Sequence, residues 1–484
     1  MKICNTSFSA FAKEKSLRND CVYQRIISNG HLSRATDYYR FSDLFSLREN
    51  KIEKTKLEDD FDYCQIGDVD KDGISHPVHL NFDERDVLDE DYYKKIEKGD
   101  VMSVAENDIL FSFLLPQDEK IVGKFIRISN DESDILFSTA FLRINAKKYP
   151  EVLYYYLKTA FYKKLVATAR IRKGYTGYAT LSNDDLLDLR FDKKEINKLF
   201  LNALPLTKKI REVEAKVEIL RKKILSPNII IDKVFSNEFD IDMAKIQQID
   251  SKKAFTTSVN IIALKNENLR FSCRWNKARC VQTELSNMVS CCDKLERYIV
   301  SANNGWSPEC NENDSDYKVL SLDAIEKDGA LRLDRVKFTD ITRQSMSNYF
   351  VTEGDMFVSR GNGSDELIAM ASVAGEIPED SCPIIYPDIM IRVHLLDNVD
   401  SKYIAYAINS CFGRMYFKNV AKGSNKKKIT PLELGNFIFP CPQKKDQIRI
   451  VNIVQSELEK QEMVRQQIYS LRNEIDNMIT AIVD

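Results

Sequence analysis

The chain repeats itself, and the repeat limits it to folds built from two copies of one unit. Four short stretches recur in the same order about 250 residues downstream. "DYCQIGDVDKDGI" (Asp62–Ile74) resembles "DYKVLSLDAIEKDGAL" (Asp316–Leu331), each a short apolar strand leading into a Lys-Asp-Gly turn at Lys71–Gly73 and Lys327–Gly329. "ENDILFS" (Glu106–Ser112) matches "EGDMFVS" (Glu353–Ser359), each a turn feeding a buried strand. "YYYLKTAFYKKL" (Tyr154–Leu165) matches "AYAINSCFGRMY" (Ala405–Tyr416), and both read as helices. The fourth stretch is a helix start after a basic loop. Leu181 precedes Ser182, Asp185 and Leu186 in the first copy; Ile429 precedes Thr430, Pro431, Glu433 and Leu434 in the second. Ser or Thr caps the helix, the acid three residues on returns the bond, and the flanking apolar pair staples across the cap. Pro431 takes the first helical position, where a missing N–H costs nothing.

Each copy also carries a run of cations. Lys158–Lys173 and Arg414–Lys428 each hold six Lys or Arg and no acid, in a chain of net charge −2. Phosphates neutralised by such residues release counterions, which yields affinity with a steep salt dependence. Lys163, Lys164, Arg170, Arg172 and Lys173 in the first run, and Arg414, Lys418, Lys422, Lys426, Lys427 and Lys428 in the second, are candidate phosphate contacts. Ser424 stands in the same loop. Arg360, Asn362 and Asn425 are candidates for base edges, since Arg suits guanine and Asn suits adenine. Tyr175 and Tyr178, beside the first run, can stack on a base or sugar or pack beneath their loop. A single lysine of this kind is ordinarily a solvated surface charge; two matched acid-free runs favour DNA.

Two long helical patterns follow the copies. Asp192 and Glu195 suit a capping box, stapled by Phe191 and Ile196. Beyond Pro205, which kinks or restarts the helix, Leu206, Ile210, Val213, Val217, Leu220 and Ile224 form a heptad seam that Ser226-Pro227 ends. After the second copy a near-heptad stripe runs Val451, Val454, Leu458, Gln461, Val464, Ile468, Leu471, Ile475, Met478, Ile482. Two stripes in one chain can bury each other as an intramolecular antiparallel coiled coil; the competing reading pairs them between chains. A helix of 30–38 residues makes a rod of roughly 45–55 Å, enough to let two domains face neighbouring major grooves about 34 Å apart.

The order of elements resembles the specificity subunit of type I restriction–modification enzymes. The likeness covers nearly the whole chain and is strongest in "YKVLSLDAIEKDG", "EGDMFVSRGNGS", "YIAYAINSCFGRMYFKNVAKGSNKKKITPLELGNFIFPCP" and "DQIRIV". Gly423-Ser424, Ile429-Thr430, Pro440/Pro442 and Asp446-Gln447 occupy the places of that family's closing loop, helix start, exit strand and helix opening. The first copy departs: "IRKGYTGYATLS" replaces the Gly-Ser loop, and "ENDILFSFLLPQ" lacks the Arg-Gly-Asn-Gly that follows Ser359. The resemblance implies an α+β chain of two pseudo-repeated target-recognition domains alternating with two long helices. The expected bounds are 1–192 for the first domain, 193–226 for a central spacer helix, 227–442 for the second domain and 443–484 for a C-terminal spacer helix. It also implies a non-catalytic subunit that binds double-stranded DNA at a split site. Two methyltransferase subunits would use S-adenosylmethionine to methylate adenine N6, and motor-nuclease subunits using ATP and Mg could join. A specificity subunit of another methylation-linked anti-phage system is a related alternative; a coiled-coil scaffold for an acidic protein or RNA is a different one.

Other chemistry finds little footing. The chain has no Pro-Pro dipeptide for a methyltransferase loop and no Walker A run. The Gly361–Gly363 "GNG" reads as a turn or as a close approach to phosphate. His76 and His79 in "HPVH" are weak metal candidates, and Asp70, Asp72 and Gly73 lack a full calcium-loop pattern. Eleven cysteines form no C-x-x-C pair, which suits a reducing cytoplasm, nucleoid-associated in bacteria or archaea. Neither a membrane-length apolar run nor a secretory leader is read in the sequence.

Overall fold

The computed structural model describes residues 38–48, 60–69, 75–82, 90–112, 114–115, 125–158, 179–180, 187, 190–251, 272–311, 315–362, 367–377, 382–423 and 427–483. The chain is mixed α/β and divides into two compact units. Unit 1 comprises Met1–Lys222 with Gln466–Asp484, and unit 2 comprises Lys223–Arg465. Among the described residues no helix is long and apolar enough to cross a membrane.

Unit 1 holds strands β1 (Tyr38–Arg40), β2 (Phe45–Leu47), β3 (Asp60–Cys64), β4 (Val78–Asn81), β5 (Asp108–Ser112), β6 (Leu114–Leu115), β7 (Phe125–Arg127), β8 (Leu136–Phe137), β9 (Phe141–Ala146), β10 (Ala179–Thr180) and β11 (Arg190–Asp192). Its helices are α1 (Phe41–Leu44), α2 (Glu90–Glu97), α3 (Pro150–Tyr156), α4 (Lys193–Leu201) and α5 (Ala203–Arg221). One sheet is four-stranded and antiparallel, in the order β2-β9-β5-β7. Ile109, Leu110 and Phe111 of β5 are all fully buried, so this strand is covered on both faces and reads as an unbroken apolar run. A second sheet, β4-β3-β8, pairs β3 antiparallel with β4 and parallel with β8. Two ribbons, β1-β11 and β6-β10, complete the set among the described residues.

Asp108, at the head of β5, is fully buried. Its carboxylate accepts from Arg143 Nε at 2.6 Å and from the Ala105 N–H at 2.7 Å. Arg143 Nη1 also donates to Ser103 O at 2.9 Å. A buried charge is tolerable only when paired and hydrogen-bonded in this way. Asn107, just before it, takes φ 67°, a left-handed turn residue of the kind Asn adopts readily.

The helices of unit 1 follow the sequence pattern with two differences. Asp192 caps α4 as expected, accepting from Lys194 N at 2.7 Å and Glu195 N at 3.3 Å. Glu195 does not return the bond; its carboxylate takes the Tyr156 hydroxyl at 2.5 Å instead. Phe191 and Ile196, the expected staple, are fully buried. The helix restarts at Ala203, with Pro205 in the first turn of α5, where its ring meets no preceding carbonyl. The second difference is the end: α5 stops at Arg221, so Ile224 lies outside it, and Pro227 opens the next helix rather than closing this one. Leu206, Ile210 and Val213 share one core with Ile475 and Ile479 near the C-terminus.

Unit 2 holds β12 (Cys292–Lys294), β13 (Ile299–Asn304), β14 (Tyr317–Leu320), β15 (Val336–Thr339), β16 (Met356–Ser359), β17 (Gly361–Asn362), β18 (Ala371–Val373), β19 (Ile384–Ile385), β20 (Met390–Leu395), β21 (Lys427–Lys428) and β22 (Ile438–Pro440). Its helices are α6 (Pro227–Phe239), α7 (Met243–Ser251), α8 (Cys273–Met288), α9 (Ser401–Asn409), α10 (Cys411–Val420) and α11 (Pro431–Gly435); the last helix of the chain, α12 (Lys444–Val483), begins here. The sheets are β13-β20-β16-β18, β15-β14-β19, β12-β22 and β17-β21. In the three-stranded sheet β14 is antiparallel to β15 and parallel to β19. Gln461, an amide within the apolar stripe of α12, is explained by its bond: its side-chain oxygen accepts from Leu225 N at 2.8 Å.

Candidate nucleic-acid interface

In unit 2 the fold joins two motifs that lie far apart in sequence. After β16 the chain runs Arg360-Gly361-Asn362, and β17 pairs antiparallel with β21, placing Gly361 opposite Lys428 and Asn362 opposite Lys427. The Ile429 N–H donates to Arg360 O at 2.8 Å, and the Arg360 N–H donates to Ile389 O at 2.8 Å. Lys422 and Lys428 exchange both backbone bonds, at 2.9 and 2.8 Å, which closes a hairpin around Gly423 at φ 118°. Gly361 eases the close approach: a Cβ there would lie 3.0 Å from Lys428 Cγ and 3.2 Å from Lys427 O, a tight fit. Gly361-Asn362 is therefore one side of a ribbon whose other side is basic, and Gly363 lies outside the described residues.

The hairpin is anchored by the helix start that follows it. Thr430 N–H donates to Glu433 Oε2 at 3.0 Å, Pro431 is at the first helical position, and Ile429 and Leu434 are fully buried. Burial pushes the Glu433 carboxyl up, but Lys422 and Thr430 together hold it below the usual carboxylate range. Lys422 Nζ lies 2.7 Å from Glu433 Oε1 while remaining half-exposed.

The other expected contacts divide clearly. Lys428 is exposed and Lys427 half-exposed, on the ribbon. Arg360 is half-exposed, with Nη1 3.3 Å from Asp388 O. Arg414, on α10, is half-buried and its guanidinium donates to Ile368 O, so it braces the fold. Lys418 is half-buried on the same helix. Asn362 is placed by its backbone, opposite Lys427. Ser424, Asn425 and Lys426 lie outside the described residues, as do Lys163, Lys164, Arg170, Arg172, Lys173, Tyr175 and Tyr178 of the first run. The Ser182 cap, Asp70, Asp72 and Gly73 lie outside them too. In unit 1 the ribbon at the matching place is β6-β10, with Leu115 opposite Ala179 and Leu114 opposite Thr180.

The helix α10 has two caps. The Gly413 N–H donates to Ser410 Oγ at 3.4 Å, and the Cys411 N–H donates to Asp232 Oδ1 at 2.6 Å. Burial pushes the Asp232 carboxyl up to about 6, against the opposing pull of the Cys411 N–H. Elsewhere, His79 lies 3.0 Å from Asp62 and 2.8 Å from Asp60, and these acids raise its pKa, chiefly through the Asp62 hydrogen bond. That pairing gives the solvent-facing histidine a role that needs no metal.

Sequence reasoning missed a second group beside the ribbon. Arg343 stands over the rings of Trp306, at 5.1 Å, and Tyr349, at 4.7 Å. Next in the chain, Ser307 Oγ donates to Asp388 Oδ1 at 2.5 Å, and Arg360 reaches the carbonyl of that same Asp388. No spacing rule links residues 306, 343 and 349; composition hints only that one of two tryptophans stands here. A cavity of about 700 Å³ is lined by Ser307, Ser359, Met370, Pro387 and Ile389 among others.

Several solved structures are similar to this chain. A chain from work on complex assembly and conformational transition of the type I R-M system shares 14% identity, covering 92% of this chain and 96% of that one, with a TM-score of 0.31. The HsdS subunit from Thermoanaerobacter tengcongensis shares 13%, covering 94% and 98%, with a TM-score of 0.28. The type I restriction-modification S subunit from M. genitalium shares 14%, covering 93% and 97%, with a TM-score of 0.36. No family model and no curated protein matches the chain. At these identities and TM-scores, fold and function rest on the chain's own residues.

Proposed function

We propose that the chain is the non-catalytic DNA-recognition subunit of a type I restriction–modification complex. Each unit would read one half of a split site. The two long helices would pair as an antiparallel coiled coil, set the gap between half-sites and dock two adenine-N6 methyltransferase subunits. S-adenosylmethionine would be held by those partners, and ATP and Mg by a motor-nuclease subunit where one joins. The observation that carries the reading is the recurrence, among the described residues of each unit, of one set of four sheets in which β16 or β5 is followed by a short ribbon, basic in unit 2. The exposed Lys428 and half-exposed Lys427 suit phosphates, and a fold used twice suits two half-sites.

The test is base-resolution mapping of N6-methyladenine in a strain with and without this gene. Loss of methylation at one split motif, two short half-sites around a fixed gap, is the expected result. An unchanged map sinks the reading and favours a scaffold that binds an acidic protein or RNA.

A further inference from the structure

We infer that Arg343 reads a guanine edge in the half-site taken by unit 2; the inference rests on the DNA-recognition reading above. Arg343 is exposed, yet its side chain is held. Its guanidinium rests against the Trp306 and Tyr349 rings, which themselves pack together with centroids 6.2 Å apart, and Nη2 donates to Tyr349 Oη at 2.9 Å. This arrangement is built into the backbone. Gly305 lies so close to the neighbouring turn that a Cβ would sit 2.2 Å from Tyr386 O, and the Trp306 N–H donates to that same carbonyl at 3.0 Å. On the other side, the Met346 N–H donates to Arg343 O at 3.3 Å, in a turn where Ser345 takes φ 63°.

Three other arginines of unit 2 are committed to acids: Arg332 lies against Asp328, Arg335 against Asp323, and Arg392 against Asp355. Among the described residues no carboxylate pairs with Arg343. A guanidinium carries five donors in a planar fork that matches guanine O6 and N7. The bond to Tyr349 uses one edge and leaves the others. An exposed arginine ordinarily loses rotamer freedom on docking; one already held against two rings and bonded to Tyr349 Oη loses less. Arg343 is also linked to the ribbon through Trp306, Ser307, Asp388 and Arg360.

The experiment replaces the wild-type gene by Arg343→Ala and by Arg343→Gln and maps N6-methyladenine in each strain. The expected result is a motif unchanged except at one G·C position of one half-site. Discrimination there should fall by roughly 5- to 150-fold, the range for one bidentate base contact, and Arg343→Gln should shift the preference toward A·T, since Gln pairs with adenine. An identical motif in both variants overturns the inference. So does a uniform fall in methylation at an unchanged motif, which marks a phosphate contact. If Arg343→Ala abolishes methylation, Arg343→Gln decides: an altered motif upholds the inference, and an unchanged motif or total loss overturns it. The wild-type deletion is read first, and failure of the DNA-recognition reading shows there, before any variant is made.

Discussion

At Asp108 in unit 1 and Asp355 in unit 2 the chain makes the same set of bonds. Each carboxylate accepts from the N–H three residues earlier, at 2.7 and 2.9 Å. Each faces an arginine on the neighbouring strand, Arg143 or Arg392, and that arginine also donates to a backbone carbonyl, Ser103 O or Phe350 O. Asn107 and Gly354 occupy the same left-handed turn, at φ 67° and 81°. Six residues beyond each acid the units part. Unit 1 places Leu114-Leu115 against Ala179-Thr180, and unit 2 places Gly361-Asn362 against Lys427-Lys428. Residues that hold the sheets together are the same in kind; residues on the ribbon differ in size and charge. On the proposed reading, that division is what two half-sites of different base sequence would require, since the frame must persist while the ribbon changes.

The largest expected effect lies in the frame. In unit 1 the Asp108–Arg143 pair is 2.5 Å long and both side chains are almost wholly buried. In unit 2 the Asp355–Arg392 pair is looser, at 3.5 Å, with Arg392 partly exposed. Removing one partner of a buried pair leaves an uncompensated charge and costs about 3–5 kcal/mol. Asp108→Ala should lower the denaturation free energy by that amount, and Asp355→Ala by less, measured by urea titration. Equal losses, or a larger loss at Asp355, break the claim that unit 1 depends more on this pair.

A smaller effect separates the units by pH. Unit 2 buries Asp232 against the Cys411 N–H, and its carboxyl is raised to about 6. A raised acid favours the fold below the unfolded value near 4, and that contribution is lost as pH rises through about 6. A shift of about two units corresponds to roughly 2–3 kcal/mol. Asp232→Asn keeps an oxygen acceptor and cannot ionise. Its melting temperature relative to wild type should therefore rise from pH 5 to pH 8. A constant difference across that window refutes the raised carboxyl.

Much of the frame was legible in the sequence because it rests on local rules. The Asp192 cap, the Phe191–Ile196 and Ile429–Leu434 staples and the restart after Asn202 follow from residue type and spacing within one turn. The Lys-Asp-Gly turn of unit 2 is closed by an Ile325–Leu331 bridge with Gly329 at φ 77°. The ribbon was half legible. Arg360 and Lys428 stand out separately by residue type, but nothing in a sequence pairs two-residue strands 65 positions apart. Arg414 departs from expectation for the same reason: its charge pattern suits a phosphate, while its position on α10 turns it toward Ile368 O. The end of α5 was missed because Pro227 serves the following helix.

The smallest effect sharpens which cations of the ribbon would meet phosphate on the proposed reading. Lys422 and Lys428 are paired through their backbones, yet their side chains differ. Lys422 meets Glu433 at 2.7 Å, and Lys428 is exposed. Lys422→Ala takes the counter-ion from the buried Glu433 carboxylate, to which Thr430 still donates, so it should also lower the melting temperature. The two variants should differ in DNA binding. Removing a lysine that neutralises one phosphate reduces the steepness of log affinity against log salt by about 0.9. Lys428→Ala should reduce it by about that amount, whereas Lys422→Ala should change it by much less, because its charge already serves Glu433. Titrations of a target duplex at several salt concentrations separate the two. Equal slopes for both variants would mean that Lys422 leaves Glu433 on binding, and the acid-free run would then act as one electrostatic surface rather than as a ribbon with a single exposed edge.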